Sequence, residues 1–278
     1  KIIIGDKEYD FVLYWNNRNI RRKQPVDVIL AFDKFVEALR PEERSKVCLL
    51  MHTQPVEEHG TDLPRTIAEC CSPETNVIFA PNRYSEEQLN YLYNIGDVTI
   101  NVASNEGFGL ATAESVMAGT PIIVNVTGGM QDQCGFEYKG KHLDYTDYSW
   151  VESLHDWRKW QDNQDLTHGE WVKPVWPRTR ALQGSIPTPY IFDDRCSWED
   201  AGESLLEWYK AGTEEREKCG ELGRQFVNGD GRMTGKHMSE SFIKNIETTF
   251  ENWKPREKYE LINANEVKDR VINHKLLY

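Results

Sequence analysis

The sequence has no long hydrophobic run, no cysteine motif for metal binding and no excess of basic residues. No apolar stretch approaches the roughly 18 residues that a membrane-spanning helix needs, and no signal peptide is visible. The formal charge of −12 argues against a surface that coats nucleic acid. The six cysteines have neither a C-x-x-C nor a zinc-ligand spacing, so we interpret them as reduced thiols and expect a cytoplasmic protein.

Short apolar runs alternate with helical patterns along the first half of the 278 residues. Helices are predicted at Pro25–Leu39, after the capping box Ser85–Gln88, and at Gly109–Ala118. The alternation predicts an α/β fold, a Rossmann-like parallel sheet with helices on both faces. The runs predicted to be buried strands are Phe11–Trp15, Val47–Met51, Val77–Ala80, Val98–Val102 and Pro121–Val124.

The regular pattern stops near residue 135. We interpret about 135–187, which holds five of the nine tryptophans, as a Trp-rich insertion with some helix near Tyr148–Trp160. Its tryptophans either stack on sugar or, as we favour, pack a small core of their own. A strand is predicted at Tyr190–Phe192, followed by helices near Trp198–Ala211 and Glu214–Phe226 and a loop at Asn228–Gly231. C-terminal helices are predicted over 234–278, the first at Thr234–Trp253, and one domain over 1–278.

The most informative segment is Glu106-Gly-Phe-Gly-Leu-Ala-Thr-Ala-Glu114, in which two carboxylates bracket a glycine turn. The turn follows the strand Val98–Val102 and opens a helix, so free N–H groups and the positive end of the helix dipole favour a phosphate there. Carboxylates accept hydrogen bonds from hydroxyls. The segment therefore suits a ligand that carries both a phosphate and sugar or ribose hydroxyls.

A basic cluster stands out against the acidic background. Arg18, Arg21, Arg22 and Lys23 follow the strand Phe11–Trp15, so they lie on the same sheet edge as the glycine turn, where ligands of parallel sheets bind. Such a local cluster indicates a small anionic ligand, and a solvated basic loop is the alternative. We interpret Arg21 and Arg22 as surface residues.

The segment Glu106–Glu114 resembles the signature of retaining glycosyltransferases of the two-Rossmann-domain (GT-B) type, family 4 in particular. The resemblance covers about residues 11–135 well and 187–230 loosely, and it implies one half of a GT-B architecture. Arg18 and Lys23 match the spacing of the pair that grips the donor pyrophosphate in this family. The glycines that accompany that pair are replaced here by Asn17 and Gln24.

The same resemblance implies roles for the glycine turn and its two acids. Glu114 would hydrogen-bond the ribose hydroxyls and Glu106 the hydroxyls of the transferred sugar. Taken alone, Glu106 is also interpretable as a helix-capping acid and Glu114 as an exposed helix residue. The backbone expected to face the distal phosphate and the sugar belongs to Gly107, Phe108, Gly109 and Leu110.

Other loops on this edge supply further candidates. We expect His52 and Thr53 to line the donor site, unless His52 is a structural histidine, and Asn82 and Arg83 to contact the base, unless they form an ordinary turn. Gly128–Gly129 resembles a loop near the sugar, with a plain turn as the alternative. Asp193–Asp194 matches a loop acid of the family, and we assign no metal to it.

The function implied by the resemblance is transfer of a hexose from a nucleoside diphosphate sugar to a hydroxyl of a glycan, a lipid or another acceptor, with retention. Arg18, Lys23 and helix amides would stabilise the leaving group without a metal or other cofactor. A complete enzyme of this type would need an N-terminal acceptor domain, which we expect to be absent here, so we interpret the chain as a fragment; the alternative is that the insertion rebuilds an acceptor surface. The alternatives are a non-catalytic nucleotide-binding or scaffold module and another GT-B enzyme, a phosphorylase or an epimerase.

Overall fold

A computed structural model describes residues 7–143, 160–161, 163–184, 186–229 and 233–255. Along these ranges the strands are β1 (Phe11–Asn16), β2 (Val47–His52), β3 (Val77–Phe79), β4 (Val98–Asn101), β5 (Ile122–Asn125), β6 (Glu137–Tyr138), β7 (Lys141–His142), β8 (Leu166–Thr167), β9 (Val172–Val175), β10 (Pro177–Leu182) and β11 (Phe192–Cys196). The helices are α1 (Pro25–Glu37), α2 (Pro41–Arg44), α3 (Leu63–Cys70), α4 (Glu86–Ile95), α5 (Leu110–Ala118), α6 (Trp198–Asn228) and α7 (Gly235–Asn252).

A six-stranded parallel sheet forms the centre of the fold. Its strand order is β3-β2-β1-β4-β5-β9, and each neighbouring pair is parallel. This is the order of a Rossmann sheet, in which the chain reverses its direction of winding between β1 and β4. The predicted α/β class and the five predicted strands of the first half are confirmed, with ends that differ by one residue. Ligands of such sheets bind in the crevice beside this switch point.

The two faces of the sheet are covered by different helices. Because side chains alternate along a strand, Phe11 and its odd-numbered neighbours pack on α1, where the rings of Phe11 and Phe35 are 5.5 Å apart. Tyr14 belongs to the opposite face and meets Tyr93 of α4 edge to face at 5.2 Å. The predicted capping box is present, since Ser85 Oγ accepts from Gln88 N at 3.3 Å.

The predicted insertion at 135–187 is interrupted by a strand of the central sheet. β9 pairs with β5 and forms its edge, and the adjoining Trp171 stacks on Phe226 of α6 at 4.6 Å. The insertion hypothesis is therefore wrong for these residues, because they complete the core of the domain. β6, β7 and β8 form a separate antiparallel sheet. The helix predicted at Tyr148–Trp160 lies, apart from Trp160, outside the described residues.

The later elements follow the predictions in part. The strand predicted at Tyr190–Phe192 begins only at Phe192, in β11, which pairs antiparallel with β10. α6 combines the two predicted helices and is interrupted by Gly212, whose φ of 81° is left-handed. α7 belongs to a second compact unit, and its Phe242 and Phe250 are exposed. None of the helices in the described ranges has the length and apolarity needed to cross a membrane.

Candidate functional site

The loops that follow β1 and β4 meet at the switch point of the sheet. The 17–24 loop leaves β1 and runs into α1, while the 102–109 loop leaves β4 and runs into α5. They are joined by a hydrogen bond from Ser104 N to Arg22 O, 2.8 Å long, and Ser104 is fully buried. The predicted basic cluster and the predicted glycine turn therefore lie together at the switch point, where the crevice of such a sheet is expected.

Lys23 and Glu106 form an ion pair at the base of this crevice. The Lys23 ammonium donates to Glu106 Oε1, and the two side chains are only 12% and 8% exposed. Burial lowers the pKa of Lys23, and the adjacent Glu106 carboxylate opposes that shift. Arg22 contributes a second cation, since its Nη1 lies 3.4 Å from Glu106 Oε2 and donates to Asn105 O at 2.9 Å. Arg22 was predicted to be a surface residue; it is exposed, yet it contacts Glu106.

Arg18 lies on the outer side of the same loop. Its side chain is 62% exposed, and its Nε donates to Glu57 Oε1 at 2.6 Å. Asn19 next to it is fully buried, and its amide nitrogen donates to Thr61 O at 2.7 Å. A side chain at Gly60 would lie 2.1 Å from Asn19 O, so only glycine fits at this approach. These contacts join the loop after β2 to the 17–24 loop, and none of them was predicted from the sequence.

The last residue of the 17–24 loop has an unusual backbone. Gln24 adopts a left-handed conformation, with φ 51° and ψ 46°, directly before Pro25 at the start of α1. Glycine adopts this conformation without steric cost, whereas most other residues do not. The glycine that the resemblance implies at this position would adopt this conformation without strain.

The glycine turn before α5 is supported from below by Gly128–Gly129. Gly129 N donates to Glu106 O at 3.1 Å, and a Cβ on Gly128 would lie 1.9 Å from that same oxygen. The glycines thus permit a close backbone approach, as expected, but toward the turn itself. A Cβ on Gly107 would meet no atom within 4 Å, so this backbone faces open space. The first N–H groups of α5 have no acceptor within the helix and are available to an anion.

A buried glutamine supports this turn from the inside, and two exposed apolar side chains lie on its outside. Gln133, fully buried, donates from Nε2 to Phe108 O at 2.6 Å and to Gly109 O at 3.0 Å. The Phe108 and Leu110 side chains are exposed, at 40% and 67%. Gly109 itself has φ 86°, and a Cβ there would meet Met130 at 2.9 Å. The turn is thereby held in one shape before any ligand arrives.

A chain of hydrogen bonds connects Glu114 with His52 at the end of β2. Tyr93 Oη donates to Glu114 Oε2 at 2.7 Å, and Asn16 Nδ2 donates to Tyr93 Oη at 2.8 Å. Asn16 Oδ1 lies 2.9 Å from His52 Nδ1, and His52 Nε2 lies 3.0 Å from the carbonyl oxygen of Asn82. Asn16 and Tyr93 were not candidates, because the first completes a strand and the second fits the apolar face of α4.

The remaining candidates differ in accessibility. Thr53 is 6% exposed, whereas Asn82 and Arg83 are exposed on the loop after β3. Each ring nitrogen of His52 lies within 3.0 Å of an oxygen, and a neutral imidazole donates to one of these two oxygens. Thr53 follows the end of β2 directly. All four residues lie on the carboxyl edge of the sheet, on the β2–β3 side of the crevice.

Asp193 and Asp194 are engaged by arginines. Arg21 Nη1 lies 2.7 Å from Asp193 Oδ2, and Arg180 Nε lies 2.6 Å from Asp194 Oδ1. Thr127 Oγ1 also donates to Asp194 Oδ2 at 2.9 Å. Their carboxylates therefore join the crevice loops to β11. A cavity of about 300 Å³ lies beside them, lined by residues that include Gly128, Tyr190 and Phe192.

The Rossmann-like sheet of this domain is shared with GT-B glycosyltransferases. Residues 3–163, more than half of the chain, match the family Glycosyl transferases group 1. The chain therefore belongs to the group 1 glycosyl transferases. It is 27% identical to the D-inositol 3-phosphate glycosyltransferase of Corynebacterium urealyticum over 126 aligned residues. These aligned residues cover 45% of this chain and 26% of that protein.

Solved structures share the fold at low sequence identity. An α,α-trehalose-phosphate synthase (UDP-forming) from Burkholderia vietnamiensis superposes with a TM-score of 0.53 at 12% identity, over 86% of this chain and 45% of that one. A C-terminal domain of a group 1 glycosyl transferase from Francisella tularensis gives 0.51 at 13% identity, over 80% of this chain and 86% of that domain. The chain thus spans less than half of the synthase but most of the isolated C-terminal domain.

Proposed function

We propose that this chain is the donor-binding part of a retaining glycosyltransferase that transfers a hexose from a nucleoside diphosphate sugar to an acceptor hydroxyl. The observation that carries the proposal is the crevice between β1 and β4, where Lys23 and Arg22 face the 106–109 turn and the start of α5. Cations and helix N–H groups that converge on one point suit a diphosphate. Arg18 is on the same loop, with an exposed guanidinium.

The proposed chemistry is electrostatic. Cleavage of the sugar–phosphate bond leaves negative charge on the nucleoside diphosphate, and cations already in place stabilise that charge as it forms. Arg18, Lys23 and the amides of α5 would supply this stabilisation without a metal, while the acceptor attacks on the face that the diphosphate leaves. The name of the Burkholderia relative specifies a UDP-forming reaction, which supports a nucleoside diphosphate product here.

We further propose that an N-terminal domain supplies most of the acceptor site and that the protein acts in the cytoplasm. The chain spans 26% of the D-inositol 3-phosphate glycosyltransferase and 45% of the trehalose-phosphate synthase, which supports the first point. All six cysteines are free thiols, as reducing compartments favour, which supports the second. Residues 1–278 alone should then bind the donor but transfer it poorly, and robust transfer by this chain would contradict the need for a second domain.

Calorimetric titration of the whole chain with UDP, GDP and ADP tests the proposed function. We expect one of the three to bind, and Lys23→Ala to weaken that binding by ~1–3 kcal/mol through loss of a charge-assisted hydrogen bond. Lys218→Ala is the matched control, because this exposed lysine pairs with Glu215 on α6, away from the crevice. Absence of binding for all three nucleotides, or equal affinity in the two variants, contradicts the proposal.

A further inference from the structure

The hydrogen-bond chain that ends on Glu114 has a fixed direction. An ionised carboxylate only accepts hydrogen bonds, so the Tyr93 hydroxyl must donate its proton to Glu114. The same hydroxyl therefore accepts from the amide nitrogen of Asn16, which leaves the amide oxygen of Asn16 facing His52. Burial raises the pKa of Tyr93, and Glu114 raises it further, so the hydroxyl keeps the proton that it donates.

The position of the Tyr93 hydroxyl is set by the protein core. Tyr93 is 3% exposed, and its ring packs edge to face on the fully buried ring of Tyr14. Its carbonyl oxygen accepts from Thr120 Oγ1 at 2.9 Å, which fixes the end of α4 against the turn after α5. Glu114, in contrast, is exposed and would otherwise sample several rotamers. The buried Tyr93 thus orients the exposed Glu114.

Burial of a tyrosine in this core does not itself require a partner for the hydroxyl. Tyr14 lies beside Tyr93 and is fully buried, yet its Oη has no hydrogen-bond partner among the described residues. The Tyr93–Glu114 contact is therefore a specific feature of this edge. It occupies Glu114 Oε2 and, within the part of the chain that the structure describes, leaves Oε1 without a recorded partner.

We propose that Tyr93 and Asn16 are positioning residues that hold Glu114 with Oε1 directed at the ribose hydroxyls of the bound nucleotide. The inference rests on the proposed function, because it assigns a ribose to this edge of the crevice. Preorganisation of the carboxylate removes the loss of rotamer freedom that a mobile glutamate undergoes on binding. The amide oxygen of Asn16 in turn accepts from Nδ1 of His52, which ends this series of directed hydrogen bonds.

Removal of single hydroxyls from the protein and from the ligand tests this inference. We would titrate three proteins, the wild-type full chain, Tyr93→Phe and Tyr14→Phe, with UDP, GDP and ADP. Each protein would then be titrated with the 2′,3′-dideoxy form of the nucleotide that binds. Tyr14→Phe is the matched control, since it deletes an equally buried hydroxyl from the neighbouring ring without touching Glu114. The readout is the ratio of the affinities for the ribose and dideoxyribose forms.

The wild type and Tyr14→Phe should prefer the ribose form by about tenfold, as expected for a hydrogen bond to a charged group. In Tyr93→Phe this preference should shrink to about two- or threefold, with little change in affinity for the dideoxy form. A general loss of folding would lower both affinities together. Asn16→Ala should reduce the preference partly, and it decides the matter if Tyr93→Phe does not fold.

The possible failures are distinguishable. No binding of any of the three nucleotides by the wild type overturns the proposed function and the inference with it. Binding with the same ribose preference in the wild type, Tyr93→Phe and Asn16→Ala overturns the inference alone. A wild type that binds both ligand forms equally also overturns it, because Glu114 then meets no ribose hydroxyl.

Discussion

The two cations that we propose to bind the pyrophosphate, Lys23 and Arg18, lie in opposite environments. Lys23 pairs with Glu106 at the base of the crevice, and only 12% and 8% of the two side-chain surfaces are exposed. Arg18 pairs with Glu57 at the rim, and its side chain is 62% exposed. Both cations face a carboxylate of their own chain, but only the first pair is shielded from water.

This difference indicates how the crevice handles charge before a ligand binds. A buried cation that loses its partner leaves an unpaired buried charge, which is strongly unfavourable, so Lys23 should stay close to Glu106 and receive the phosphate there. A solvated ion pair contributes little stability, so Arg18 can leave Glu57 for a phosphate at small cost. We therefore expect substitutions at the Lys23–Glu106 pair to affect folding. Substitutions at the Arg18–Glu57 pair should affect mainly binding.

The largest effect on stability is expected from Gly128→Ala. Gly128 has a φ of 52°, and the added Cβ would lie 1.9 Å from Glu106 O, so the backbone at Glu106 or at residue 128 must shift. We expect a loss of about 2–3 kcal/mol in the free energy of unfolding, measured by urea denaturation. Gly140→Ala is the control, because its φ of 77° is also left-handed but nothing lies within 4 Å of the new Cβ. Equal losses would show that backbone strain, and not the approach to Glu106, dominates.

Lys23→Met should have the next largest effect on stability. It leaves the Glu106 carboxylate buried beside the more distant Arg22, whose Nη1 lies 3.4 Å from Oε2. We expect a loss of about 2 kcal/mol in the free energy of unfolding. Lys23→Met combined with Glu106→Gln should lose less than the sum of the two single changes, since no unpaired charge remains. Strict additivity in this cycle would contradict a direct, buried pair.

Arg18→Ala should separate binding from stability. The urea midpoint should stay at the wild-type value, because a solvated ion pair is weak. The affinity for the nucleoside diphosphate that binds should fall about tenfold or more, as for a lost charge-assisted hydrogen bond. Arg40→Ala, which removes another exposed arginine paired with a glutamate, should change neither quantity. An unchanged affinity in Arg18→Ala would remove this residue from the site.

The smallest expected effect is a pH dependence of the stability that the Arg18–Glu57 pair contributes. The hydrogen bond from Arg18 holds the pKa of Glu57 below its ordinary value of 4.5. A lowered pKa in the folded state contributes stability above that ordinary value, and the contribution is lost as the pH falls through the folded-state pKa. The stability difference between wild type and Glu57→Gln should thus be constant from pH 7 to 5 and decline below about 4.5. A difference that grows in acid would contradict the pairing.

Local patterns predicted the central strands and the glycine turn because each is encoded within a few neighbouring residues. β9 was missed because its four residues include Pro174, and a proline within a short run argues against a strand. Proline is tolerated at an edge strand, and β9 is the edge of the sheet. The tryptophans nearby then suggested an insertion, although Trp171 packs into the core.

The supporting residues of the site could not be predicted from the sequence. Glu57 is 39 positions from Arg18, and Tyr93 is 77 positions from Asn16, so only the folded sheet brings them together. Tyr93 also has the spacing of a core residue of α4, and its ring does pack in the core. Its hydroxyl alone hydrogen-bonds Glu114. Family resemblance pointed to the groups expected to touch a ligand, but the contacts that orient them depend on tertiary structure.

A crystal structure of residues 1–278 soaked with the nucleoside diphosphate that binds most tightly would show where the diphosphate lies. We predict the diphosphate in the crevice between β1 and β4, contacted by Lys23, by the amides at the start of α5 and by an Arg18 that has left Glu57, with the ribose at Glu114. A nucleotide bound elsewhere, such as in the cavity lined by Trp160 and Trp176, would contradict the account.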